Sequence, residues 1–319
     1  MIEISSYHIQ VLAFMGINII LAVSLNLING FTGQFSLGHA GFMAIGAYTA
    51  AILTKACGWP FLLATLAGAL LAFAFGLLLG IPILRLKGDY LAIATFGLSE
   101  IVRVAIVNFD DVTMKAATLV GLQDLVPKEI TRGALGYPAI PEVKSLVWIY
   151  GWAFVTCLIL RNIVRSSEGR AISSIGEDEL AAESLGINTA RYKTLSFAIG
   201  AFFAGVAGAL FAHWVTYIKA DLFKIDKSIE ILLMVVLGGM GSLSGSVLGA
   251  VVLTLLPEYL RVFAQWRMVI YPILLILLML TRPEGLLGRR ELSTILGVLY
   301  TRAMGRGGPA PGNPPVAAE

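Results

Sequence analysis

Glu100 and Arg103 stand three residues apart in an otherwise apolar run, a spacing that places them one turn apart on the same face of a helix. Charges in such surroundings are costly unless paired or hydrated, so the two should face the interior of a bundle, where they either neutralise each other or meet a solute. A second polar group, Gln34, Ser36 and His39 with Asn26 just ahead, is set in NGFTGQFSLGHAGF at 29–42 among glycines 30, 33, 38 and 41. A third, Ser228 and Glu230, precedes GGMGSLSG at 238–245. None of these forms a catalytic constellation. The three histidines, His8, His39 and His213, make no HExxH pattern, and there is no Gly-x-Ser-x-Gly elbow with partners. Cys57 and Cys157 lie in or beside apolar runs, where a free thiol is the usual state. No catalytic residue and no metal site are expected. GGMGSLSG also lacks the lysine of a phosphate-binding loop, so the chain is not expected to hydrolyse ATP.

The charged stretch at 161–193, RNIVRSSEGRAISSIGEDELAAESLGINTARYK, lies between apolar runs and reads as a soluble handle. Glu177, Asp178 and Glu179 place negative charge where a helix N-terminus favours it, and Gly186 suits a left-handed stop. Ala181, Ala182 and Leu185 supply a small apolar stripe between them. With Glu183 as a fourth carboxylate this one short helix cannot lie against lipid, which leaves a partner's groove as its use. A solvated connecting loop is the plainer reading of the same residues.

The elements that position these groups follow from composition. Of 319 residues 57% are hydrophobic and 13% charged, too little polar surface for a soluble domain, so the expected fold is an all-α polytopic transmembrane bundle. A net charge of +3, with the cations spread between apolar runs, gives no sign of nucleic-acid binding. Judged against the about 20 residues that cross a bilayer, the chain offers about nine apolar segments: 9–29, 43–54, 60–84, 88–108, 146–163, 192–217, two either side of the break at 238–245, and 267–281. The glycine-rich runs at 29–42 and 238–245 are read as broken or re-entrant helices, because irregular backbone at membrane depth must be buried in protein or line a cavity. Their loosely similar spacing suggests an internal repeat. The polar stretch 109–145, with Pro127, Pro138 and Pro141, is long enough for a small cap on the outer side. The first apolar run reads as a retained span rather than a signal peptide. With the handle in the cytoplasm, 12 Lys or Arg fall on its side and 10 on the other, a small positive-inside excess. The domain plan is thus a membrane domain over 1–288, with an outer loop at 109–145 and a cytoplasmic coupling loop at 161–193, followed by a tail at 289–319 that turns to Gly, Pro and Ala.

Five ordered blocks carry a resemblance: LNLINGFTGQFSLGHAGFMAIGAYTAAIL, LKGDYLAIATFGLSEIVR, GRAISSIGEDELAAESLGINTARYKTLSFAIGAFFAGVAGALFA, SIEILLMVVLGGMGSLSGSVLGA and RPEGLLG. Together, over 25–288, they resemble the LivM-type permease of branched-chain amino acid ABC importers. The resemblance implies that the handle is a cytoplasmic coupling helix, with Glu179, Ala181, Ala182, Glu183, Leu185 and Gly186 meeting an ATPase. In the importer signature of Glu-Ala-Ala, three residues and Gly, leucine stands at 180 where the glutamate is expected, and Glu179 lies one place earlier. The outer stretch VTMKAATLVGLQDLVP also departs from the family's pattern. The implied partners are a second, LivH-like permease, two ATP-binding subunits that hydrolyse the ATP, a periplasmic substrate-binding protein and the lipid bilayer of a bacterial inner membrane. No cofactor is implied for this chain itself. Asn26, Gln34, Ser36, His39, Ser228 and Glu230 are the candidates for lining the substrate path. Two alternatives stay open: a urea or amide permease of the same family, and an ion-coupled secondary transporter using Glu100, Glu230 and His39 as protonation sites, which would have no need of the handle.

Overall fold

The computed structural model describes residues 6–84, 86, 88–120, 131–259, 285, 286 and 288. The described residues fold into helices α1 (Ser6–Asn26), α2 (His39–Lys55), α3 (Phe61–Ile83), α4 (Asp89–Val107), α5 (Phe109–Val120), α6 (Leu146–Arg165), α7 (Ser167–Glu177), α8 (Glu179–Ser184), α9 (Thr189–Val215), α10 (Ile225–Gly238) and α11 (Leu243–Tyr259). No strand forms among them; an isolated bridge joins Tyr137 to Ile218. The all-helical class matches the expectation; among the described residues five helices are long and apolar enough to cross a membrane, namely α1 with its extension to Phe31, α3, α4, α6 and α9. Helices α2, α10 and α11 have 17, 14 and 17 residues, short of a full crossing because the glycine breaks interrupt them. The segment expected at 267–281 and the tail at 289–319 lie outside the described residues.

Two helices form the axis of the bundle. The most apolar windows of α1 and α9 are 78% buried, against 33% for α3 and α4 and 22% for α6, which places the last three at the periphery. On α3 the outward residues are Leu63, Leu70, Leu78 and Ile81, an apolar face that water would not tolerate and lipid would. What lets α9 reach the centre is its small-residue composition. Gly205 meets Gly46 of α2 and Gly68 and Ala72 of α3, and a methyl at Gly46 would overlap the Gly205 backbone. Gly76 of α3 sits on Ala198 and Ala201 of α9 one level further along. Backbones in this close approach gain dispersion contacts that bulky side chains would prevent, which is the main source of helix association when lipid is as apolar as the helices.

The end opposite the handle is closed by the loop at 131–145. Tyr137 N–H donates to Ile218 O at 2.7 Å and Ile218 N–H returns the bond at 3.2 Å, with further bonds from Ile140 to Thr216 O and from Val143 to His213 O. Lys55 at the end of α2 donates to Pro138 O at 2.5 Å and lies over the Tyr137 ring at 4.4 Å from its centroid. Burial raises the Tyr137 phenol above its ordinary pKa, so the ring stays neutral there.

Candidate functional site

The two glycine-rich breaks, more than 200 residues apart in sequence, meet at the handle end. Helix α1 does not stop at Asn26 but widens into a π-turn over Leu27–Phe31, a geometry that recurs at functional positions. Asn26, 0% exposed, joins this turn to the second break: its amide Nδ2 donates to Ser242 O at 2.8 Å, and Gly241 N–H donates to its Oδ1 at 2.9 Å. Gly30 packs so tightly on the same joint that a methyl there would overlap Asn26 Oδ1 and Gly241 N. Gly285, Leu286 and Gly288 add a third contact, with Leu286 N–H donating to Leu237 O at 2.8 Å and Gly285 and Gly288 against Gly239. Gly239 has φ +113°, a conformation that L side chains rarely adopt.

Between the breaks, α2 begins inside the protein. Its first turn is held by residues from elsewhere in the chain: Ser228 of α10 accepts from Ala40 N–H at 3.1 Å, supplying the cap that Gly38, lacking a side chain, cannot. His39 Nε2 and Ser24 Oγ are 2.9 Å apart, and Leu37 N–H donates to Thr95 Oγ1 at 3.0 Å. Asn29 and Ser36 clamp the intervening loop reciprocally, Nδ2 to Ser36 O at 3.3 Å and Ser36 N–H to Oδ1 at 3.2 Å. Asn26, Ser36, His39 and Ser228 are thus all buried and all engaged with this chain's own backbone or side chains. Gln34 is buried as well, with neither its amide nitrogen nor its oxygen partnered. Glu230 differs: it lies on a half-open cavity, bonded to Lys227 at 3.0 Å.

The expected pairing of Glu100 and Arg103 is seen in bidentate form, with Arg103 Nε donating at 2.9 Å and 3.0 Å and Nη2 at 2.5 Å. The pair sits near the end of α4 with side chains 40% and 21% exposed, and Arg103 also reaches Asp221 of the turn Ala220–Phe223 at 3.6 Å. Asp221 in turn pairs with Lys224 at 2.9 Å, whose hydrogen bond holds its carboxyl below the usual carboxylate range, helped by the charges of Lys224, Lys219 and Arg103.

The handle contains two helices rather than one. Sequence reasoning missed α7, although Ser166 before an amphipathic run is a start signal: its hydroxyl accepts from Gly169 N–H at 3.2 Å, and Ile172 and Ile175 turn inward. Helix α8 follows as expected at its ends. Asp178 caps it by accepting from Leu180 N–H and Ala181 N–H at 2.9 and 3.0 Å, and Gly186 stops it at φ +84°. The expected stripe is split, because Ala182 is 2% exposed and faces this chain, whereas Leu180 and Leu185 are 68% and 81% exposed. Glu179 pairs with the nearly buried Lys193 of α9 at 2.6 Å, fixing α8 on the bundle, while Glu183 is exposed. At its other end α7 touches the π-turn: a methyl at Gly176 would overlap the Phe31 carbonyl, and Gly33, at φ +68°, lies against Gly176.

A polytopic bundle whose interrupted helices meet at one end, beside a capped helical handle, is the architecture of a membrane permease rather than of a soluble domain. The chain matches the family model for the branched-chain amino acid transport system, permease component, over residues 7–281, and it belongs to that family. It is 37% identical over 293 residues to the high-affinity branched-chain amino acid transport system permease protein LivM of Escherichia coli strain K12, an alignment covering 85% of this chain and 68% of that one. It is 27% identical over 300 residues to LivH of the same system name and organism, covering 86% and 92% of the two chains. The probable branched-chain amino acid transport permease protein LivM of Methanocaldococcus jannaschii is 22% identical over 344 residues, covering 89% and 94%. No solved structure matches the chain.

Proposed function

We propose that this chain is a membrane-spanning permease subunit of an ABC importer for branched-chain, aliphatic amino acids, resident in a bacterial cytoplasmic membrane. The observation that carries the reading is the family match over 7–281, and it favours amino acids over urea or amides. In this scheme a LivH-like second permease completes the translocation path, a periplasmic binding protein delivers the solute, and two ATP-binding subunits hydrolyse ATP. This chain binds no cofactor of its own. The membrane domain covers 1–288 with about nine spans, counting the short helices and 267–281, and 289–319 is a cytoplasmic tail. The loop at 109–145 faces outward, and 161–193 is the cytoplasmic coupling loop.

Coupling then runs through named contacts. Leu180 and Leu185 are the residues of α8 that enter the ATPase groove, because they are exposed where Ala182 is turned inward. Asp178, Gly186 and the Glu179–Lys193 pair hold α8 on the end of α9. Movement of the handle reaches the broken helices through the backbone contact of Gly176 with Phe31 and Gly33, where no flexible side chain intervenes to absorb it. The glycine breaks are the points at which the path-lining elements bend. The test is a pull-down from mildly solubilised membranes with a tag on this chain. Leu185→Asp combined with Leu180→Asp should abolish recovery of the ATP-binding subunits and lower ATP-driven leucine uptake at least tenfold, with the thermal midpoint of the chain unchanged. Uptake unaffected by both substitutions would sink the coupling assignment. A chain that purifies alone and moves solute under an ion gradient without ATP would make it a secondary carrier.

A further inference from the structure

A cavity of about 230 Å³ opens between α1, α10 and α11, with Met43 of α2 and Phe211 of α9 also lining it. It is smaller than the about 300–1,000 Å³ of sites for drug-sized ligands, and its walls are of two kinds. One is apolar, formed by Val11 and Phe14 of α1 and Leu253 of α11. The other carries Lys227 and Glu230 on the first turns of α10 and Glu258 near the end of α11. Lys227 is held in place by a chain of hydrogen bonds. Its Nζ donates to Glu230 Oε2 at 3.0 Å and to Asn18 Oδ1 at 3.3 Å; Asn18 Nδ2 donates to Thr254 Oγ1 at 3.0 Å, and Thr254 donates to Ala250 O at 2.7 Å. Among the described residues, Glu258 and the second oxygen of Glu230 have no hydrogen-bond partner.

The Lys227 and Glu230 side chains are 19% and 42% exposed and both line the cavity, so a solute entering it can reach an ammonium and a carboxylate beside an apolar wall. We infer that this cavity is a transit subsite for a zwitterionic aliphatic α-amino acid: Lys227 and Asn18 receive its carboxylate, Glu230 and Glu258 its ammonium, and Val11, Phe14 and Leu253 its side chain. The inference rests on the importer reading above and deepens it. A zwitterion entering between Lys227 and Glu230 exchanges one ion pair for two, so the protein's own pair must open for each bound solute and re-forms when it leaves. Affinity is therefore low, as a path demands of a subunit that must release what it holds.

The experiment uses the whole complex in proteoliposomes, with the second permease, both ATP-binding subunits and the binding protein, and measures radiolabelled leucine uptake alongside binding-protein-stimulated ATP hydrolysis. Lys227→Met and Glu230→Gln should each lower uptake at least tenfold. The double exchange K227E/E230K keeps an ion pair but reverses the field, so it should restore assembly and thermal stability while leaving uptake low. Uptake restored to the wild-type level by the exchange, or unaffected by the single changes, would make the pair a structural clamp and overturn the subsite. Wild-type complex that assembles but takes up no leucine would overturn the importer reading instead. Because the variants can fail to assemble, the wild-type complex is also labelled with diazirine-bearing photo-leucine during turnover. Adducts on 11–18 or 253–258 are expected; adducts confined to other segments would refute the site.

Discussion

Asn26→Ala removes both bonds that tie the first glycine break to the second, and its cost can be worked from the contacts. Ser242 O keeps Ser246 N–H at 3.1 Å and Ser246 Oγ at 3.2 Å, so the loss there is one ordinary hydrogen bond, about 0.5–1.5 kcal/mol. Among the described residues Gly241 N–H has Asn26 Oδ1 at 2.9 Å as its one partner, and stranding this part-buried donor costs about 1–3 kcal/mol if water does not replace the bond. The sum, about 1.5–4.5 kcal/mol, is a large part of the about 5–15 kcal/mol that typically separates folded from unfolded protein. Gly30→Ala attacks the same joint from the other side, because its methyl meets Asn26 Oδ1 and Gly241 N. With the Asn26 side chain gone the methyl still meets the Gly241 backbone but no longer Asn26 Oδ1, so the double variant should cost less than the sum of the singles by at least about 0.5 kcal/mol. The measurement is reversible unfolding of the purified chain in mixed micelles, with the two singles and the double in one series. A cost below about 1 kcal/mol for Asn26→Ala, or simple additivity with Gly30→Ala, would refute the view that Asn26 is the pin between the breaks.

Three further outcomes can be checked. Gly176→Val should leave the complex assembled yet reduce leucine moved per ATP hydrolysed at least tenfold, since the side chain cannot fit against Phe31; a normal ratio would remove this contact from the coupling route. Ser228→Ala should destabilise by about 1 kcal/mol, the usual worth of a lost helix cap, whereas Ser228→Thr retains the hydroxyl; equal stability of all three forms would show that α2 needs no cap. The depressed carboxyl of Asp221 adds stability that is complete above the ordinary aspartate pKa of about 3.9 and is lost as the pH falls through the lower folded value. Lys224→Ala should shrink that acid-side loss in thermal melts between about pH 5 and 3; an unchanged pH profile would mean the pair adds nothing.

How far the site could be read from sequence depended on the range of the interaction. The Glu100–Arg103 pair was legible because i to i+3 spacing is a property of one helix, yet its direction was not, since Asp221 comes from a turn more than 100 residues later. The caps of α8 were legible for the same reason: Asp178 and Gly186 act within a few residues of their own backbone. Its apolar stripe was misread because Ala181, Ala182 and Leu185 share an apolar character but not an environment, and only the seat of α8 on α9 decides which of them is covered. Ser228 stands out in sequence as a polar group in apolar surroundings, but the helix end it caps begins at residue 39, and Lys227 beside it reads only as a boundary because it stands at the edge of an apolar run.

By itself the sequence determined that this protein is an all-helical membrane bundle with breaks at 29–42 and 238–245, because apolar runs and glycine clusters act on the chain where they occur. Only the tertiary structure decided that the two breaks are one joint pinned by Asn26, that the handle's α7 presses on it at Gly176, and that α1 and α9 rather than α3 or α6 form the axis. These depend on which helices can approach closely. That is set by small residues on different helices, such as Gly46, Gly68 and Gly205, arriving at one place, and no local pattern records such a coincidence.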